Sequence, residues 1–156
     1  MKFLSVFLTF AFLVSAQAET IQFRGAVKEV LDGDTLKMSS GNKVVKIRLA
    51  YIDAPELLQR YGHESKRSLE QLTRDKPVDA TCTTKDRYGR LICTLLVGSE
   101  DLNSMQVKRG MAWAYLRYAP KGTPLKAIQA EAESGKRGLW ADANAIAPWD
   151  YRTNVK

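Results

Sequence analysis

The chain has 156 residues, 45% of them hydrophobic and 26% charged, with a formal net charge of +7. That balance excludes a disordered chain and bounds the answer at one domain with a real core, while the positive excess favours a polyanionic partner without specifying any chemistry. Two cysteines, Cys82 and Cys93, and a single histidine, His63, leave too few nitrogen and sulfur ligands for an ordinary zinc site.

The first segment in chain order is MKFLSVFLTFAFLVSAQA. Lys2 gives it a positive start, Phe3 to Val14 form an apolar run broken only by Ser5 and Thr9, and Ala16-Gln17-Ala18 has the small-x-small pattern of a cleavage site. The run is short for a permanent bilayer span, and no later segment is longer and more apolar. Residues 1–18 therefore read as a signal peptide and 19–156 as one secreted or periplasmic soluble domain, free of the membrane after cleavage. A retained N-terminal anchor is the alternative. Cleavage removes one charge, Lys2, which lowers the net charge from +7 to +6.

From Ile21 to Val97 the sequence reads mostly as strands. IQFRGAVKEVL is rich in β-formers up to the turn Asp32-Gly33-Asp34, and TLKM continues beyond it. After a second turn, SSGN, the run KVVKIRLAYI alternates cleanly, with Val45, Ile47, Leu49 and Tyr51 on one face and Arg48 on the other. The loop DAPELLQRYG leads to a helix expected from about Glu64 to Arg74. Two further strands, VDATCTT and RLICTLLV, flank the turn KDRYG.

The second half reads as helical. Ser99 or Asp101 caps LNSMQVKR, with Gly110 as its stop, and Thr123-Pro124 opens PLKAIQAEAES, which Gly135 ends. The tail after Trp140 reads as irregular. Five strands followed by helices predict an α+β domain, one small antiparallel barrel or curled sheet with helices packed on it.

Three charged islands stand at strand ends or within strands: Asp32-Gly33-Asp34-Thr35, Arg48 with Asp53-Ala54-Pro55-Glu56, and Asp86-Arg87-Tyr88-Gly89-Arg90. Asp34 and Asp53 are oxygen donors of the type a hard cation takes. Glu56 stands three residues on, in a loop stiffened by Pro55, where it can act as a base without occupying the metal. Arg48 and Arg90 offer planar forks that match phosphate oxygens. Carboxylates, a cation and paired arginines are the parts needed to attack a phosphodiester. Each island alone also reads as an ordinary turn or a solvated salt bridge. His63, in RYGHES, has no nucleophile-elbow motif near it and reads as a loop or helix-start residue rather than a triad member.

LDGDT, IRLAYIDAPE and DRYGR, in that order, resemble the staphylococcal nuclease (thermonuclease) family. The likeness continues through VKRGMAWAY and EAESGKRGLW and so covers about Val27 to Trp140. The resemblance implies a five-stranded OB-type β-barrel with about three packed α-helices, and a Ca2+-dependent nuclease that cleaves DNA and RNA to leave 3′-phosphate ends. It implies that Asp34 and Asp53 hold the metal together with the backbone carbonyl of Ala54, where the family usually has threonine. Glu56 matches the general base, Arg48 and Arg90 the phosphate-binding arginines, Tyr88 a nucleotide-holding tyrosine, and Asp32 an outer-shell acid. Tyr115 and Tyr118, in AYLRY, stand where the family has paired stacking tyrosines at a different spacing; Tyr115 as a core residue is the competing reading. A non-catalytic OB-type module that grips nucleic acid without cutting it is the rival function. Nothing in the sequence calls for an obligate protein partner, so a monomer is expected.

Cys82 and Cys93 are symmetric about the DRYG turn, so a symmetric hairpin places them opposite each other. An oxidising compartment would close a disulfide there. The alternative is a pair of small buried residues that stay reduced.

Overall fold

The first long strand, β1 (Ile21–Val30), meets its neighbour through the Asp32–Asp34 turn, and the barrel grows from that hairpin in both directions. The structure, a computed structural model, describes residues 20–154; the signal-peptide expectation for 1–18 lies outside the described residues. β2 (Thr35–Ser40) pairs antiparallel with β1 and with β3 (Lys43–Leu49). The two-residue β4 (Ile52–Asp53) follows, then α1 (Gly62–Thr73). β5 (Pro77–Lys85) returns along the other edge of β1, and β6 (Leu91–Val97) pairs with β5. A parallel pairing of β3 with β6, at Ile47–Leu91, Arg48–Ile92 and Leu49–Cys93, closes five strands into the expected barrel, which is therefore mixed rather than wholly antiparallel. Closure leaves those five strands little free edge.

The remaining elements cover one end of the barrel. β7 (Glu100–Asp101) extends β6 and runs into α2 (Leu102–Lys108); β8 (Trp113–Ala114) pairs with β4. α3 (Leu125–Ser134) and α4 (Pro148–Asn154) complete the fold, with short 3-10 turns at 116–118 and 138–141. Asp101 caps α2 by accepting from Ser104 N–H at 2.8 Å, and Gly110, at φ 66°, takes the left-handed position that ends it. No helix among the described residues is long and apolar enough to cross a membrane.

The core follows the predicted alternation. Ile47 and Leu49 of β3 are fully buried with Leu36, Met38, Val78 and Leu95 from the other barrel strands, while Arg48 faces the opposite way and is half-buried. Leu69 and Leu72 of α1, Leu102 and Val107 of α2, and Leu125 of α3 close the end of that core. Cys82 and Cys93 lie directly opposite each other and form a disulfide, their Cα atoms 4.0 Å apart.

Three expectations shift. α1 starts at Gly62, two residues early, because Tyr61 turns the chain through a left-handed conformation at φ 68° and no side-chain cap sets the start. Thr123 does not act as the cap of α3: Pro124 is already helical at φ −75° and Leu125 follows it without a side-chain cap. The tail after Trp140 is not irregular throughout, since α4 makes a fourth helix. α4 is too short to show a helical period in its sequence, and its Trp149 ring rests 5.6 Å from that of Tyr115.

Candidate active site

The Asp32–Asp34 turn is held from below by two helices. The Gly33 carbonyl accepts from Gln106 Nε2 at 2.7 Å, and the same amide nitrogen donates to the Ser65 carbonyl of α1 at 3.1 Å. A Cβ at Gly33 would stand 1.8 Å from Ser65 Oγ and 2.8 Å from Ala54 Cβ, so only glycine lets the turn sit this close. Asp32 Oδ1 accepts from Asp34 N–H at 3.0 Å, an Asx-type closure that fixes the second acid. Asp34 is buried; its Oδ1 accepts from Thr35 Oγ1 at 3.0 Å and its Oδ2 from Ala54 N–H at 2.8 Å.

That last bond joins the first island to the second. Arg48 extends from β3 between the two buried acids, with Nη2 at 3.4 Å from Asp34 Oδ2 and 2.9 Å from Asp53 Oδ1. Its Nη1 donates to the Leu49 and Ile52 carbonyls at 2.8 and 2.9 Å, which lock the guanidinium's plane. Asp53, at the end of β4, is 3% exposed. Burial raises its carboxyl above the ordinary range, the hydrogen bond from Arg152 pulls it back, and the charge of Asp34 pushes it up again. Asp32 is pushed up to about 6, by burial first and then by the charge of Asp34.

The third island arrives on the β5–β6 hairpin. Asp86 organises it: Oδ1 accepts from Tyr88 N–H at 2.9 Å and from Arg90 N–H at 3.0 Å, and Oδ2 takes Arg90 Nε at 2.7 Å. Arg90 Nη1 reaches Thr35 Oγ1 at 3.5 Å, beside Asp34. Tyr88 is exposed, its ring flanked by Arg87 at 5.0 Å and Arg90 at 5.5 Å.

All three islands line one cleft of about 590 Å³, the size of a small-ligand site. Asp32, Asp34, Arg48, Asp53, Ala54, Glu56, Tyr88 and Arg90 are all on its wall. Tyr115 and Tyr118 are not; their rings lie tilted at 55° with centroids 6.3 Å apart, and Tyr115 packs against Trp149, which does line the cleft. Among the described residues no group of three or more His, Cys, Asp or Glu is arranged to hold a metal ion. Asp34 and Asp53 are buried acids offering only oxygen donors, the type a hard divalent cation takes, and here guanidinium groups of Arg48 and Arg152 neutralise them.

Three cleft residues escaped sequence reasoning, Trp149, Arg152 and Thr153, all on α4. Arg152, on α4, donates from Nη2 to Asp53 Oδ2 at 2.6 Å and from Nη1 to Glu56 Oε1 at 2.7 Å. Its only sequence signal is Pro148, which can open a helix in the tail.

A family model described as staphylococcal nuclease homologue matches residues 46–142. The match takes in Arg48, Asp53, Glu56, Tyr88 and Arg90 and stops short of both Asp34 and Arg152. The chain is 40% identical over 153 residues to an uncharacterized endonuclease of Haemophilus influenzae, covering 97% of this chain and 84% of that protein. It is 38% identical over 142 residues to an uncharacterized endonuclease of Escherichia coli, covering 90% and 92% of the two chains. With a micrococcal nuclease of Shigella flexneri it shares 36% identity over 144 residues, 86% of this chain and 83% of that one.

Proposed function

Because the chain belongs to the staphylococcal nuclease family, we propose that it is an exported, Ca2+-dependent nuclease that hydrolyses DNA and RNA and leaves 3′-phosphate ends. The observation that carries this reading is the meeting of three sequence islands, more than fifty residues apart end to end, on a single cleft wall. A bound Ca2+ would supply electrophilic help to the phosphate and polarise an attacking water.

In this reading Asp34, Asp53 and the Ala54 carbonyl hold the cation, with water and substrate oxygens filling its shell. So few protein donors imply weak binding, about 10⁻⁴ to 10⁻³ M, as in extracellular calcium modules. Glu56, at the cleft rim with its side chain 42% exposed, takes the proton from water. Arg48 and Arg90 are held by Asp53 and Asp86 in fixed planes, so their forks meet the charge that develops on phosphate at small reorganisation cost. Tyr88, exposed between two arginines, offers a face to the nucleotide. The disulfide suits an oxidising compartment, which supports export. The acids and arginines favour cutting over mere gripping, since a binding module needs none of the carboxylates.

The test is digestion of single-stranded DNA, double-stranded DNA and RNA by the chain lacking residues 1–18. Cleavage in millimolar calcium, its loss in chelator, and products whose 3′ phosphate a phosphatase removes are the expected results. Binding to all three without any cleavage would favour the non-catalytic module.

A further inference from the structure

Three polar contacts tie the segment 142–154 to the loop that carries Glu56. Arg60 Nη1 meets Asp142 Oδ2 at 2.8 Å, Gln59 Nε2 donates to the Ile146 carbonyl at 2.6 Å, and Arg152 Nη1 donates to Glu56 Oε1 at 2.7 Å. The partners run in opposite directions along the two segments, so the tail lies across the loop as a strap. The loop has no regular structure between β4 and α1, and its Leu58 is 90% exposed. Ala54, Pro55 and Gln59 are buried and Gln59 Oε1 accepts from the Glu56 N–H at 3.2 Å, so the loop backbone is braced, whereas the Glu56 carboxylate itself stands at the exposed rim. The strap has its own anchor, since Trp149 packs on Tyr115 behind β8.

The guanidinium of Arg152 divides between two acids. Nη2 takes Asp53 Oδ2 at 2.6 Å, while Nη1 takes Glu56 Oε1 and, at 3.3 Å, Asp53 Oδ1. Asp53 belongs to a strand and is buried; Glu56 belongs to the exposed loop. A planar fork spanning both sets the distance and direction of the loop acid relative to the strand acid.

We propose that Arg152 is a positioning residue: strapped in by the tail, it holds the Glu56 carboxylate in register with Asp53. The proposal rests on the reading of Glu56 as the base, and it assigns Arg152 no contact with the reacting atoms. A lysine cannot serve as well, because its single nitrogen cannot bridge two carboxylates as a fork does.

The test uses the chain from residue 19 onward as wild type, Arg152→Ala, Arg152→Lys, Glu56→Gln and the double variant Arg152→Ala/Glu56→Gln. Hydrogen exchange without calcium reads the loop directly. Amides of 56–61 should exchange about tenfold faster in Arg152→Ala, with the barrel strands unchanged and Arg152→Lys intermediate. With calcium, kcat for Arg152→Ala should fall about tenfold or more while KM moves less. In the Glu56→Gln background the same substitution should cost under about twofold, because the group it positions is already disabled. Loop exchange equal to wild type would overturn the proposal. So would costs that multiply across the cycle, which would make Arg152 an independent phosphate contact. A wild type that cuts nothing would defeat the nuclease reading, and the exchange measurement would still decide the strap.

Discussion

Gln106 lines no part of the cleft, yet it holds the turn on which Asp34 depends. It is fully buried, and its Nε2 serves both the Gly33 and the Ser65 carbonyls. Gln106→Leu keeps most of the volume and removes the donor, leaving the Gly33 carbonyl without that partner in the interior, while the Ser65 carbonyl keeps its place in the α1 ladder. The expected loss is about 2 kcal/mol in urea unfolding, in the range for unsatisfied buried groups. A variant as stable as wild type would mean that Gln106 does not hold the turn. The residue was legible in principle: it stands four positions after Leu102, on the buried stripe of α2, where a polar side chain needs a partner. The acids and arginines were legible for a different reason, since Asp34, Arg48, Asp53, Glu56 and Arg90 sit in short ordered motifs. Arg152 sits in none, and only the tertiary path of the tail brings it to Asp53.

The β5–β6 hairpin shows how far local symmetry carries at the level of elements. It placed Cys82 opposite Cys93 correctly, and the disulfide closes there. Beyond that pair the register slips by one residue, so Thr84 rather than Thr83 faces Ile92. The irregularity lies on the turn side of the bond, between the disulfide and the Asp86–Arg90 loop. Period-two patterning does not reveal this bulge, because Thr83, Thr84 and Lys85 are polar and all exposed, so no apolar alternation marks the change of phase. The bond closes a short loop, with partners 11 apart in sequence, so it should contribute about 2 to 3 kcal/mol by loop-closure entropy. Urea unfolding with and without reductant measures this, and the reduced chain should unfold at lower denaturant. Coincident curves, with reduction verified by thiol count, would contradict a stabilising bond. α1 and α3 lie where the sequence placed them, with shifted starts: Tyr61 in a left-handed conformation opens α1, and α3 begins after Pro124 without a side-chain cap.

At the scale of the whole molecule, the site exists because the barrel closes. The parallel pairing of β3 with β6 puts Arg48 beside Ile92 and so brings the 86–90 hairpin over the Asp34 turn. Strand alternation predicted the strands and the inward face of β3, but this long-range parallel contact leaves no local mark in the sequence; the family resemblance implied a closed five-stranded barrel without specifying this pairing. Labour in the cleft is divided between elements. β3 of the barrel fixes Arg48 and the β4–β8 pair fixes Asp53, whereas Glu56 rides on a loop that the tail contacts through Arg152. The central claim, that this assembled cleft cuts phosphodiesters with Glu56 as its base, is tested most directly by one paired measurement. Wild type and Glu56→Gln are mixed in excess with a single labelled oligonucleotide, and binding and single-turnover cleavage in calcium are followed together. Gln keeps an oxygen for Arg152 to hold and loses only the ability to take a proton. The variant should bind within about twofold of wild type and cleave about 10²-fold more slowly or worse; cleavage near the wild-type rate would contradict the account.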